Sequence, residues 1–163
     1  MADTMQDSAN PEPITSGIGF LLWQTANSWQ RAQRAALAPF DLTPVQLLLL
    51  AGLDELTGRG DNSVKQAVLA RYCRCDVMMT SQVVRGLERR GLMVRAVHTD
   101  DARAHAVALT GDGGRLVAEA MPMLTAVDEG YFKMMGADRA TFAGALAALS
   151  GARQRVRIKA IAR

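Results

Sequence analysis

The chain has 163 residues, enough for one domain or for one domain with a helical extension. With 49% hydrophobic and 21% charged residues it can bury a core, which excludes a disordered polypeptide, and its many Ala, Leu, Met and Arg residues against few aromatics favour helix over sheet. The net charge of +3 is too small to identify a partner by itself, so the placement of charge along the chain has to carry that argument.

Residues 1–13 are polar, end in Pro-Glu-Pro and read as a flexible arm without the apolar stretch of a secretory signal. A first helix is expected from about Thr15 to Leu37. Its apolar positions, Phe20, Leu21, Trp23, Ala26 and Trp29, wrap around more than one face, as in a helix that contacts both its own domain and a partner subunit. Pro39 ends it. Thr43 then caps a second helix with Pro44 at its first position, and the run Val45 to Leu53, broken by Gln46, is too short to span a bilayer. Thr57 to Ser63 reads as a loop, and its Arg59-Gly60-Asp61 is an ordinary turn.

A short helix over about Lys65 to Tyr72, a turn at Cys73-Arg74-Cys75, and a helix from Val77 to Arg90 capped by Asp76 come next. Gly91 supplies the left-handed stop. The period then changes to alternation: residues 92–98 and 104–110 read as two strands joined by a polar tip at Thr99 to Arg103. Thr110 caps a long helix to about Met135, expected to bend at Pro122, and Asp138 caps a last helix through Leu149. The Gly111-Asp-Gly-Gly114 run lacks the lysine of a phosphate loop and reads as a flexible helix start.

Helix, tight turn, helix and hairpin together make a winged helix-turn-helix, mainly α with a small β-hairpin wing. On the helix 77–90, Val77, Thr80, Val83 or Val84, and Leu87 form the inward stripe. The outward face holds Met78, Met79, Ser81, Gln82, Arg85 and Arg89. These residue types suit a major groove: hydroxyl, amide and guanidinium groups for base edges and phosphates, and methionines for thymine methyls or, equally, for packing. Arginines 71, 74, 85, 89, 90 and 95 face only Asp76 and Glu88 over this stretch. The tail adds Arg153, Arg155, Arg157, Lys159 and Arg163 without an acid. Two such clusters point to a polyanion.

Over residues 64–116 the sequence resembles the MarR family of bacterial regulators. The matching features are Leu69-Ala70 before the turn, Leu87-Glu88-x-x-Gly91-Leu92 closing the recognition helix, Asp101-x-Arg103 at the wing, and Leu109-Thr110 with Gly113 opening the next helix. The resemblance implies a homodimer whose first and last helices interlock, a recognition helix in the major groove, and a wing whose Arg103, steadied by Asp101, enters the minor groove of a pseudo-palindromic operator. It also implies a small-molecule effector. The chain then divides into the arm 1–13, a dimerisation helix 14–38, the DNA-binding domain 39–111, and C-terminal dimerisation helices with a basic tail over 112–163. Ala102 stands where the family often has a second Arg.

Trp23, Trp29, Tyr72 and Met121 are candidates for an effector pocket, with core or dimer interface as the competing reading. Cys73 and Cys75, flanked by Arg71 and Arg74, suit either a redox-sensing regulator or plain burial; they form no disulfide framework, and with His98 and His105 they match no common zinc spacing. Two lone histidines give little basis for acid–base catalysis, so no catalytic residue, metal or cofactor is expected, and a cytoplasmic regulator fits best. The rival classes are a winged-helix protein–protein interaction module that does not bind DNA, and a small enzyme using Cys75 as nucleophile.

Overall fold

The computed structural model describes residues 15–58, 63–98 and 101–151. Helix α1 (Ile18–Leu37) leads through a 3-10 turn (Ala38–Phe40) into α2 (Pro44–Thr57). Next come β1 (Val64–Lys65), α3 (Gln66–Tyr72), α4 (Val77–Arg89), β2 (Met93–His98) and β3 (Asp101–Leu109). Helix α5 (Gly111–Phe132), a second 3-10 stretch (Lys133–Asp138) and α6 (Arg139–Leu149) complete the order. The residues form two compact units, one ending at Thr125 and one beginning at Ala126.

The first unit holds the core. Leu37, Leu47, Leu50, Leu53, Leu69, Val84, Leu87 and Val107 are fully buried together, so α1, α2, α3, α4 and β3 share one apolar interior. Local signals set the boundaries. Thr43 and Gln46 form a reciprocal capping box: the Gln46 N–H donates to the Thr43 hydroxyl at 3.3 Å and the Thr43 N–H to Gln46 Oε1 at 2.8 Å. Helix α3 ends in a two-bond cap, with the Arg74 N–H donating to the Arg71 carbonyl at 3.2 Å and the Cys75 N–H to the Ala70 carbonyl at 2.9 Å. The left-handed position of that cap is occupied by Arg74 (φ 53°), not by glycine.

Helix α4 ends in the same way at Gly91 (φ 70°), whose N–H donates to Glu88 while that of Leu92 donates to Leu87. The chain then turns into β2. Strand β3 lies between β1 and β2, antiparallel to both. The pair β1–β3 was not anticipated, because a two-residue strand shows no alternation. Strand β3 also begins at Asp101, three residues before the expected start at 104. His98 pairs with Asp101 but Val97 pairs with His105, so residues 102–104 have no opposite partners in β2.

The Gly111–Gly114 run does start a helix, as expected. It is the first turn of α5, capped by Thr110, whose Oγ1 accepts from the Gly113 N–H at 3.0 Å and donates to the Gly91 carbonyl at 2.7 Å. Gly113 is buried, and a Cβ there would fall 2.1 Å from the Leu92 carbonyl oxygen, so only glycine fits.

In the second unit Phe132 meets Tyr131 edge-to-face and Phe142 at a tilt, with ring centroids 5.3 and 6.3 Å away. Helix α5 ends at Phe132, ahead of the expected Met135, and the chain breaks at Gly136 (φ 50°). Asp138 occupies the N-cap position of α6 but makes no side-chain capping bond. None of the described residues of this unit is buried, and Met134 and Leu149 are prominently exposed. The 1–13 arm, the Arg59-Gly60-Asp61 turn, Thr99 and Asp100 of the wing tip, and the basic tail lie outside the described residues.

Candidate nucleic-acid interface

Helix α4 is placed by what it buries. Thr80, Val84 and Leu87 are fully inside, on one side of a helix that advances about 100° per residue. Thr80 is satisfied there, its hydroxyl donating to the Asp76 carbonyl at 2.7 Å. The Asp76 carboxylate accepts from the Met79 N–H at 2.8 Å, which anchors the first turn. The opposite side presents Met78, Gln82, Arg85 and Arg89, all exposed and aligned along the helix. Met79 and Ser81 are half-buried at the flanks, so the free face is narrower than periodicity alone implied. Val77 departs from its expected inward place: it sits at the first helical position, beyond the edge of the core, and is 56% exposed.

Two arginines of the basic stretch are tied into the structure. Arg90 reaches back to the connection between α1 and α2, donating from Nη1 to the Asp41 carbonyl at 2.6 Å and from Nη2 to the Phe40 carbonyl at 3.4 Å. The Asp41 carboxylate lies 3.5 Å from Nη2. Arg95 on β2 pairs with Glu88 on α4 at 3.5 Å and ties the β2–β3 hairpin to that helix. Both roles were invisible in a count of charges. Arg85 and Arg89 remain as exposed cations on the outer face of α4.

Asp101 and Arg103 belong to β3 by backbone, in the stretch where pairing with β2 shifts; their side chains lie outside the described residues. The four candidate effector residues do not share one cavity. Trp29 lines a hollow of about 500 Å3 with Gln33, Arg34, Val45, Leu48 and Leu124. Tyr72 and Met121 line another of about 400 Å3 that shares the Leu48 and Leu124 wall. There the Tyr72 hydroxyl bonds the Glu55 carboxylate. Trp23 is exposed on α1, stacked on Phe20 at 5.7 Å, and lines neither.

The cysteines are set against thiolate chemistry. Burial, then the neighbouring Cys75 and Glu55, push the Cys73 thiol up to about 11, and its Sγ donates to the Leu48 carbonyl at 3.6 Å. Burial raises Cys75 as well. The flanking arginines do not offset this, so of the two sequence readings, sensor or plain burial, the structure favours burial. Among the described residues no three His, Cys, Asp or Glu side chains are grouped to hold a metal, and no single helix is long and apolar enough to cross a membrane.

No protein-family model matches the sequence. An HTH-type transcriptional regulator of Bacillus subtilis, YdcH, itself uncharacterized, is 41% identical over 114 residues, covering 70% of this chain and 77% of its own. A MarR-family transcriptional regulator from Rhodococcus superposes with a TM-score of 0.71 at 25% identity, covering 85% of this chain and 96% of that one. The repressor CouR, solved bound to a 23-mer DNA duplex, superposes with a TM-score of 0.73 at 24% identity, covering 83% and 94%. The shared fold, the helix-turn-helix geometry and the identity to the Bacillus regulator lead to one assignment: the chain belongs to the MarR family of winged helix-turn-helix transcriptional regulators.

Proposed function

We propose that the protein is a homodimeric, sequence-specific DNA-binding repressor that reads a pseudo-palindromic operator with α4 and its wing and responds to a small-molecule effector. The observation that carries this is the two-sided character of α4: Thr80, Val84 and Leu87 sealed inside, Met78, Gln82, Arg85 and Arg89 left outside. A helix of this width fits a major groove, where guanidinium and amide groups form bidentate bonds to guanine and adenine. CouR, similar in fold, is solved on a DNA duplex.

Dimerisation is supported by apolar surface that a single chain leaves open. Ile18, Leu21, Leu22 and Trp23 are exposed along the start of α1, and the second unit buries none of its described residues. A twofold dimer would set two recognition helices one DNA turn apart, about 34 Å. The hollow beside Trp29, Gln33 and Arg34 is our candidate effector site, since it lies between α1 and the start of α2 and a ligand there would favour one arrangement of these helices over another. We read the chain as a cytoplasmic regulator and not an enzyme: the relatives named above are regulators, and the raised thiols weigh against both a Cys75 nucleophile and a thiolate redox sensor.

Selection of bound duplexes from a random pool tests the proposal. The recovered motif is expected to be a pseudo-palindrome with half-sites spaced by one turn, and affinity to fall steeply with salt. Gln82→Ala or Arg85→Ala should relax the motif, costing about 1–3 kcal/mol of discrimination, whereas Arg103→Ala should weaken all duplexes alike. Failure to retain any duplex at low salt would remove DNA binding and leave the protein–protein module in its place.

A further inference from the structure

The first turn of α4 carries two large apolar side chains on the outside of the protein, Val77 at 56% and Met78 at 76% exposure. We propose that Val77 and Met78 read the 5-methyl group of thymine, so that the start of the recognition helix selects T in each half-site. The inference rests on the DNA-binding reading above and adds the base that this end of the helix recognises.

Met78 shares its line along α4 with Gln82, Arg85 and Arg89, the exposed row opposite Thr80, Val84 and Leu87. If the two arginines lie along a polyphosphate duplex, as their charge favours, Met78 lies in the same groove one turn or more toward the helix start. Among the groups that base pairs present in a major groove, the thymine methyl is the apolar one, and the rest are donors and acceptors that Val and Met cannot satisfy.

Two further observations narrow the assignment. Met79 is half-buried beside the domain, so of the adjacent methionines Met78 is the one offered outward. The Asp76 carboxylate already accepts from the Met79 N–H, so the start of α4 is capped from within and carries an acid where a phosphate would otherwise dock. That turn is therefore suited to base edges and not to the backbone. The flanking cations and the continuity with Gln82 favour a duplex over an apolar protein partner as the occupant of this patch.

The test uses the full-length protein and the operator recovered by selection, with thymines replaced one at a time by uracil. This removes the methyl and keeps every hydrogen-bonding group. The wild-type protein is expected to lose about fourfold in affinity per contacted methyl, at symmetric positions in the two half-sites. Val77→Ala and Met78→Ala proteins should bind thymine and uracil duplexes more nearly alike, and Met78→Leu should restore the preference. Equal wild-type affinity for thymine and uracil operators, with preference over random DNA intact, would overturn the proposal and leave the DNA-binding reading standing. A uracil penalty undiminished in the Val77→Ala, Met78→Ala double variant would also overturn it, by assigning the methyl to another residue. Loss of binding to every duplex would overturn both readings.

Discussion

Gly113 and Cys73 are both constrained by what lies directly against them. Gly113→Ala would drive a methyl into the Leu92 carbonyl, a backbone atom that cannot rotate away. The expected cost is ~2–3 kcal/mol, read as a lowered midpoint in urea unfolding at unchanged slope. Cys73 is held as a thiol, its ionisation pushed up to about 11. Its alkylation by iodoacetamide should be slow at pH 7 and rise about tenfold per pH unit through the alkaline range. Linkage follows with a definite sign: the unfolded chain ionises this thiol first, so the contribution is intact below about pH 9 and is lost as pH climbs toward about 11. A rate already flat between pH 7 and 8 would contradict the burial. Sequence alone left these cysteines between sensor and core, because flanking arginines are visible in a string of letters and desolvation is not.

At the scale of elements, the helix-turn-helix was legible because its signals are local. Asp76, Gly91, Thr43 and Thr110 all cap or stop a helix as expected, each through a bond to a residue within four positions of its own. What escaped was set by partners distant in sequence. Val64 and Lys65 become a strand only because β3 lies beside them, Val77 turns outward because the core ends before it, and Arg90 leaves the cationic surface for carbonyls 49 and 50 residues away. The last contact gives a discriminating prediction. Arg90→Ala should destabilise the domain by ~1–2 kcal/mol, the range for a charge-assisted bond at a partly exposed site, while Asp41→Asn should cost less than ~0.5 kcal/mol, because the shorter bond goes to the carbonyl and the Asp41 carboxylate is exposed. Denaturation of the two variants side by side would separate the strut from an ordinary surface ion pair.

For the whole molecule, the exposed apolar start of α1 is the feature that a single chain does not explain. Leu22→Glu is expected to shift sedimentation from dimer to monomer and, with it, to weaken operator binding far more than the loss of one contact would, since two half-sites are then engaged independently. A Leu22→Glu protein that still sediments as a dimer would assign that surface elsewhere. The candidate effector residues show the limit of composition at this scale: Trp29 and the pair Tyr72 and Met121 fall in separate hollows divided by Leu48 and Leu124, and no spacing along the chain carries that partition.

The seat of Gly113 on the Leu92 carbonyl has a mechanical meaning as well. Side chains in contact absorb small displacements by changing rotamer, but here main chain rests on main chain, with nothing compressible between them. The Thr110 hydroxyl pins the same spot to the Gly91 carbonyl. The start of α5 is thereby seated directly on the root of β2 and the end of α4, so a tilt of that helix would have to be accommodated by the backbone at Gly91 and Leu92.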